Sequence, residues 1–205
     1  ENQNILLERS KLESMKNFLD NNNTLSKVDL EFLYKISKKY RIKTNDRHKY
    51  DLVNELLDRV DVIPNSIVLA QAANESGWGT SRFALEGNAL FGQWTWSKKG
   101  ISPKNQDADK THKVLQFQIL KASVRAYKNN LNTHNAYREF REVRAQLREE
   151  GKTIIGLDLT KYLKAYAAIG DKYVAIIDDI IEKNSLTDFD KANLLPTKLK
   201  KGLAL

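Results

Sequence analysis

The feature that most restricts the fold is a helical spacing of apolar residues, which covers nearly the whole chain and fails only once. Between Phe91 and Gln118 this spacing is lost, and glycines, Pro103 and polar residues replace it. Elsewhere apolar positions recur three and four residues apart, in the segments 5–19, 46–60, 119–131, 136–150, 160–168 and 171–183. The pattern predicts a mainly α protein with one long irregular loop.

Several residues mark where helices begin and end. Ser26 is a helix cap, with Asp29 in the first turn of the helix that follows. Pro64 starts the next helix, because proline at the first helical position loses no hydrogen bond. Gly77 ends that helix. Within the irregular segment, Val114 and Leu115 lie between polar residues and predict part of a short β-hairpin. A long irregular segment in a compact domain is often a functional loop.

The chain divides into three predicted parts. Residues 1–61 form an N-terminal helical extension, residues 62–184 form the main domain, and residues 185–205 form a basic, loosely ordered tail. The first residue is Glu1 rather than methionine. We therefore expect that an N-terminal piece has been removed and that this piece carried an export signal.

Composition narrows the possible chemistry. The chain of 205 residues has no cysteine, which excludes disulfides, thiolate metal sites and cysteine nucleophiles. His48, His112 and His134 lie far apart without metal-ligand spacing, so no metal site is predicted. A formal charge of +8 either aids solubility or draws the protein to polyanions such as nucleic acid, anionic lipid or an acidic cell wall.

Glu75 is the strongest candidate for a catalytic residue. It lies in the last turn of the predicted helix that ends at Gly77, four residues after Gln71. The sequence predicts that this face is semi-buried. Burial and the partial negative charge of a helix C-terminus both disfavour an ionised carboxyl group. A carboxyl group that keeps its proton can act as a general acid.

Aromatic and amide side chains surround Glu75 in the sequence. Sugar rings stack on aromatic rings, and their hydroxyls bond to amides. Phe83 and Phe91 are favoured as core residues, whereas Trp94 and Trp96 in the irregular loop are favoured as a binding surface. Phe91 is counted both as a core residue and as a sugar-binding residue. The predicted sugar-binding residues are Gln71, Ser76, Trp78, Asn88, Phe91, Gln93, Trp94 and Trp96.

Two runs in this region carry a family resemblance. Gln-Ala-Ala-Asn-Glu-Ser-Gly-Trp-Gly at 71–79 and Gly-Asn-Ala-Leu-Phe-Gly at 87–92 resemble the signature of the FlgJ-type glucosaminidases. These are peptidoglycan N-acetylglucosaminidases with a lysozyme-like fold. Further stretches resemble one branch of that family, at 103–113, 121–127, 130–138 and 166–174. The resemblance covers about residues 64–181.

The resemblance implies roles for individual residues. The catalytic acid of the family falls on Glu75, and its conserved tyrosine falls on Tyr166. Many members also have a second glutamate in the hairpin loop, but this chain has none around 111–113, and the nearest loop carboxylates are Asp107 and Asp109. No cofactor is implied. The implied partner is the peptidoglycan strand, and the implied location is the bacterial cell envelope, specifically the periplasm.

The expected reaction is hydrolysis of the β-1,4 bond after N-acetylglucosamine by an endo-acting glycoside hydrolase. The positive transition state would be stabilised either by the acetamido oxygen of the substrate, oriented by Tyr166, or through a water activated by Asp107 or Asp109. Three alternatives stay open: a lytic transglycosylase, a non-catalytic protein that binds the cell wall, and, resting on charge alone, a nucleic-acid-binding protein.

Overall fold

The structure, a computed structural model, describes residues 1–92, 94–95, 100–101 and 113–194, with only the backbone described at 94 and 95. This part of the chain is mainly helical, as the sequence predicts. Its α-helices are α1 (Asn2–Asp20), α2 (Lys27–Lys39), α3 (Lys49–Arg59), α4 (Asn65–Ser76), α5 (Arg82–Gly87), α6 (Leu120–Thr133), α7 (Arg138–Glu149) and α8 (Asp171–Lys183).

The sheet is small and lies next to the segment where helical spacing fails. It consists of β1 (Trp94–Thr95), β2 (Gly100–Ile101) and β3 (Lys113–Leu115). Strand β3 is central and pairs antiparallel with both of the others. The expected hairpin is therefore one part of a three-stranded sheet. The mainly α fold with a short β element agrees with the lysozyme-like class that the resemblance implies.

Helix ends follow the predicted capping chemistry. The Ser26 side chain accepts a hydrogen bond from the backbone N–H of Asp29 at 3.2 Å. Gly77 ends α4 in the left-handed conformation, with φ of 56°. A residue with a Cβ is strained in that conformation, which explains the glycine. Pro64 stands one position earlier than expected, as the cap of α4 rather than its first residue.

Two helical segments differ from the prediction. Residues predicted as a helix at 160–168 form a 3-10 helix, Thr160–Tyr166, which begins with a bond from Tyr162 N–H to the carbonyl of Leu159. Helix α5 was not predicted. With only six residues it is too short to show an apolar period, although Ser81 caps it by accepting a bond from Ala84 N–H.

The helices enclose two apolar cores. Helices α1 to α3 pack around one core that includes Leu12, Leu33 and Leu56, all without solvent exposure. The larger core lies between α4, α6, α7, α8 and the 3-10 helix Thr160–Tyr166, and Ile67 and Ile177 lie within it. The predicted N-terminal extension therefore has its own buried residues, although the boundary proposed at residue 61 stays a prediction.

The segment predicted to be a loose tail is partly ordered. Residues Leu186–Lys191 form a 3-10 helix. The carboxylate of Asp190 accepts hydrogen bonds from Ser66 N–H, Ser66 Oγ and Gly156 N–H, at 2.8 to 2.9 Å. Asp190 thus satisfies a free amide in the first turn of α4, where a negative charge is favoured. The prediction of looseness from residue 185 is wrong for this stretch.

Gly156 offers a test of this packing. A Cβ at this position would lie 2.0 Å from Ser66 Oγ, and that hydroxyl is held by Asp190. We expect Gly156→Ala to lower the free energy of unfolding by about 1–3 kcal/mol through overpacking, measured by urea denaturation. Ser66→Ala removes this hydroxyl, so Gly156→Ala should lower the free energy of unfolding by less in the Ser66→Ala background. Equal costs in both backgrounds would contradict the assigned clash.

None of the helices in the described ranges is both long enough and apolar enough to cross a lipid bilayer.

Candidate active site

A groove of about 560 Å³ collects side chains from distant parts of the chain around the end of α4. Both the N-terminal helices and the main domain contribute to it. The described residues that line it are Arg41, Glu75, Phe91, Gly92, Leu115, Ala126, Asn129, Asn130, Tyr137 and Tyr166. Glu75 supplies the only carboxylate among them.

Glu75 lies in the last turn of α4, and its side chain is exposed. The predicted semi-burial is therefore wrong, because this turn opens into the groove rather than into the core. Its Oε1 accepts a hydrogen bond from the Tyr173 hydroxyl at 3.1 Å and another from Asn74 Nδ2 at 3.2 Å. Its Oε2 has no hydrogen-bond partner within the described ranges. One oxygen is held in place, and the other is available to a ligand.

A buried relay of hydrogen bonds fixes the direction of the Tyr173 proton. The Tyr127 hydroxyl donates to Oε1 of Gln71, and Nε2 of Gln71 donates to the Tyr173 hydroxyl at 2.8 Å. Because the Tyr173 oxygen already accepts this bond, its own proton is free to point at Glu75. The relay begins in the core and ends at the carboxylate, so it orients Glu75 from the core side.

Four tyrosines form a cluster beside this carboxylate: Tyr127, Tyr137, Tyr166 and Tyr173. Tyr166 stacks on Tyr173 with ring centroids 5.4 Å apart and meets Tyr127 edge to face at 6.2 Å. Burial raises the pKa of Tyr137 to about 12, and the negative charge of Glu75 adds to this effect. Burial, followed by the charges of Tyr173 and Glu75, raises the pKa of Tyr166 well above its usual range. These hydroxyls stay neutral donors at physiological pH.

Comparison with protein families assigns the part of the chain that holds Glu75 and the four tyrosines to a known family. The model of the glucosaminidase family, described as mannosyl-glycoprotein endo-β-N-acetylglucosaminidase, matches residues 50–186. This chain belongs to the glucosaminidase family. The match begins within α3 and includes all four tyrosines and Glu75.

A curated relative supports the same assignment. The chain is 40% identical over 138 residues to "Protein bax" of Escherichia coli (strain K12). The aligned region covers 67% of this chain and 49% of the relative, so the chain spans about half the length of the protein that it matches. A search of solved structures finds no significant match.

The structure assigns internal roles to two residues that were predicted to bind sugar. Gln71 is 0% exposed, and both ends of its amide are bonded to tyrosines, so it cannot reach a ligand. Ser76 is also buried; its hydroxyl donates to the carbonyl of Ala72 and accepts from Gly79 N–H at 2.7 Å. The predicted sugar-binding role is wrong for these two residues, because their polar groups hold the end of α4 rather than a substrate.

Three other predicted sugar-binding residues have different surroundings. Phe91 lines the groove and is nearly buried, stacked on Tyr127 with centroids 3.9 Å apart, so it belongs to both the core and the groove. Asn88 takes a left-handed conformation after α5 and donates to the carbonyl of Phe117 at 3.1 Å, which holds the loop. Trp78 is 65% exposed and is not among the residues that line the groove. A sugar-binding role for Trp78 stays a prediction.

Several predicted site residues cannot be placed. Gln93, Trp96, Asp107 and Asp109 lie outside the described residues. At Trp94 only the backbone is described, paired with Val114 in the sheet. Their predicted roles remain predictions. Tyr166, by contrast, lines the groove together with Glu75, and its role in holding or assisting the substrate stays a prediction.

Sequence analysis did not single out Tyr137, which lines the groove, or Tyr173, which bonds to Glu75 from the core side. Both tyrosines lie in segments with apolar helical spacing, so they were interpreted as core. Asn130 lines the groove, and its side-chain amide has no partner in the part of the chain that the structure describes. Arg41 comes from the N-terminal helices, which show no chemical motif. Only the two tyrosines gave a usable signal, since their hydroxyls need partners when buried.

Proposed function

We propose that this glucosaminidase cleaves the β-1,4 bond after N-acetylglucosamine in peptidoglycan strands, with Glu75 as the general acid. The observation that carries the proposal is a single described carboxylate in the groove, oriented by a hydrogen-bond relay. Family membership supports glycosidase chemistry, and Glu75 is exposed in a groove of about 560 Å³. The same substrate supports a location in the bacterial cell envelope, which we propose to be the periplasm.

The hydrogen bonds of Glu75 suit proton donation. In a neutral carboxyl group, Oε1 can act as the carbonyl oxygen that accepts from Tyr173 and Asn74. The proton then resides on Oε2, the oxygen without a described partner, where the leaving glycosidic oxygen can take it. A bound glycan would also cover the exposed carboxyl group, and removal of water favours the neutral form. Exposure in the free protein is therefore compatible with acid catalysis in the complex.

The positive sugar transition state needs an electron-rich partner. The substrate's own acetamido oxygen can serve, and it requires no second carboxylate. Tyr166 lies in the groove as a neutral donor that could orient the acetamido group, and Asn130 offers a free amide nearby. The other route uses a water activated by Asp107 or Asp109. Product stereochemistry distinguishes them: substrate assistance retains the anomeric configuration, whereas inversion would exclude it.

A lytic transglycosylase remains the second candidate, because a single glutamate in a groove also suits that reaction. Its product would be a 1,6-anhydro sugar rather than a new reducing end. Transglycosylases of this type usually carry a glycine-methionine-glutamine motif, which Leu90-Phe91-Gly92 does not match. A silent wall-binding protein would give neither product. Mass spectrometry of digested peptidoglycan separates the three.

Tyr173→Phe tests the relay. The variant removes the hydroxyl that donates to Glu75 and leaves Gln71 Nε2 buried without an acceptor. We expect about a tenfold fall in kcat, since one positioning hydrogen bond is lost. The loss should appear in kcat rather than in KM, because Tyr173 is not among the described residues that line the groove.

The matched control is Tyr34→Phe, which removes the hydroxyl of an exposed tyrosine on α2. It should leave both kcat and KM unchanged. A Tyr173→Phe enzyme with lower stability but an unchanged kcat would show that Tyr173 is structural only.

A further inference from the structure

One cation of the groove comes from outside the main domain. Arg41 follows α2, in the connection to α3, and lines the same groove as Glu75. The family model begins only at residue 50, so Arg41 lies outside the matched region. The side chain is exposed, and its guanidinium makes no hydrogen bond or ion pair with any residue of the described ranges. The N-terminal helices thus place in the groove of the proposed catalytic carboxyl group a positive charge that no described residue pairs.

Arg41 has a backbone conformation that is unfavourable for arginine. Its φ is +57°, at the position where helix-terminating turns normally have glycine. Ile42 N–H bonds to the carbonyl of Ser37 at 2.9 Å, and Arg41 N–H bonds to that of Lys38 at 3.3 Å, which is the Schellman pattern. A non-glycine residue is disfavoured here. Residues that break a local rule at a site are often functional.

This turn is anchored from two sides. Asn129 of α6 donates to the carbonyl of Lys39 at 3.1 Å, and Arg59 of α3 donates to that of Tyr40 at 2.9 Å. Asn129 itself lines the groove. The backbone that presents Arg41 is therefore fixed relative to the groove wall, and binding would need to order only the side chain.

We propose that Arg41 binds a carboxylate of the substrate strand and makes the enzyme prefer carboxylate-bearing strands over neutral ones. This inference rests on the proposed function. A guanidinium offers paired donors that match a carboxylate. Peptidoglycan carries carboxylates on its stem peptides, and on the lactyl group once the peptide is removed. Neutral N-acetylglucosamine polymers carry none.

Binding to three soluble strands tests the proposal, in a Glu75→Gln background that prevents cleavage. The first strand keeps its stem peptides, the second has lost them to an amidase, and the third is a stripped strand whose lactyl carboxylates are converted to amides. We expect Arg41→Gly to bind carboxylate-bearing strands about tenfold more weakly, the effect of one charge-assisted contact. Amidated strands should bind equally with and without Arg41. An effect on intact strands alone assigns the peptide carboxylate, and an effect on stripped strands alone assigns the lactyl carboxylate.

Two controls keep the result interpretable. Glycine suits the left-handed turn, so Arg41→Gly should melt at the same or a higher temperature. Lys38→Gln removes an exposed charge from the same helix end, outside the groove, and should bind like the parent protein. Unchanged binding of every strand by Arg41→Gly, or an equal loss on amidated strands, overturns the proposal. A wild-type enzyme that cleaves no strand would instead refute the proposed function.

Discussion

Replacement of Glu75 by glutamine is expected to lower the rate of glycan cleavage by about 10²- to 10⁴-fold, the usual contribution of a general acid. The amide can still accept the Tyr173 hydrogen bond at its oxygen, but it has no proton to give to the leaving group. Because the side chain is exposed, the melting temperature should hardly change. Release of new sugar ends from purified peptidoglycan measures the rate.

Glu86→Gln is the matched control for this change. Glu86 lies on α5, carries an exposed carboxylate and is not among the residues that line the groove. It should retain full activity. If Glu75→Gln digested peptidoglycan as fast as the wild type, Glu75 would not be the acid, and another group would have to be sought.

The largest expected effect on stability is at Asp61, between α3 and α4. Its carboxylate is 1% exposed and forms two bonds with Arg148 of α7, at 2.6 and 2.8 Å. Arg9 of α1 lies 3.4 Å away, and the fully buried Arg144 of α7 lies 4.0 Å away. Asp61 therefore ties the N-terminal helices to the main domain.

Asp61→Asn would remove the negative charge beside the fully buried Arg144 and weaken the contacts with Arg148 and Arg9. We expect a loss of about 3–5 kcal/mol in the free energy of unfolding, the usual cost of breaking a buried ion pair on one side. Urea denaturation at pH 7 measures it. Glu31→Gln, which neutralises an exposed carboxylate on α2, should change stability by less than about 0.5 kcal/mol.

The pH dependence of stability follows from the ion pairs of Asp61. Burial alone would raise the pKa of Asp61, but the hydrogen bonds from Arg148 and the charges of Arg144 and Arg9 outweigh it and lower the pKa. A lowered pKa in the folded state means that the stabilisation is complete above the unfolded value, about 3.9, and is lost as the pH falls through the folded value. The gap between wild type and Asp61→Asn should be constant from neutral pH to about pH 5 and close below pH 4. A gap that persists in acid would contradict the assigned charge interaction.

Local chemistry made much of the helical framework predictable. The Ser26 cap and the Gly77 stop depend on hydrogen bonds and backbone conformation within a few residues, so the sequence alone indicates them. The same is true of the apolar periods of α1, α3, α7 and α8. Helix α5 has too few residues to establish a period, and the order at 186–191 depends on Asp190 reaching Ser66 from 124 positions away.

The candidate site was predicted only in part, because its arrangement depends on contacts between residues far apart in the sequence. The motif around Glu75 pointed to the right turn of α4, but the exposure of Glu75 depends on how α6, α8 and the 3-10 helix Thr160–Tyr166 surround it. Gln71 was interpreted as a sugar contact because amides bind hydroxyls. It is instead bonded to two tyrosines from other helices. Arg41 has no local signal, since its place in the groove depends on long-range bonds such as that from Asn129 of α6 to the carbonyl of Lys39.

The most direct test of the account is whether Glu75 matters only when the leaving group needs a proton. Wild type and Glu75→Gln should be compared on peptidoglycan and on an N-acetylglucosamine-terminated oligosaccharide whose reducing end carries dinitrophenol, a leaving group that departs without protonation. We predict that Glu75→Gln is impaired by about 10²- to 10⁴-fold on peptidoglycan but releases dinitrophenol at close to the wild-type rate. An equal loss on both substrates would contradict the assignment of Glu75 as the general acid.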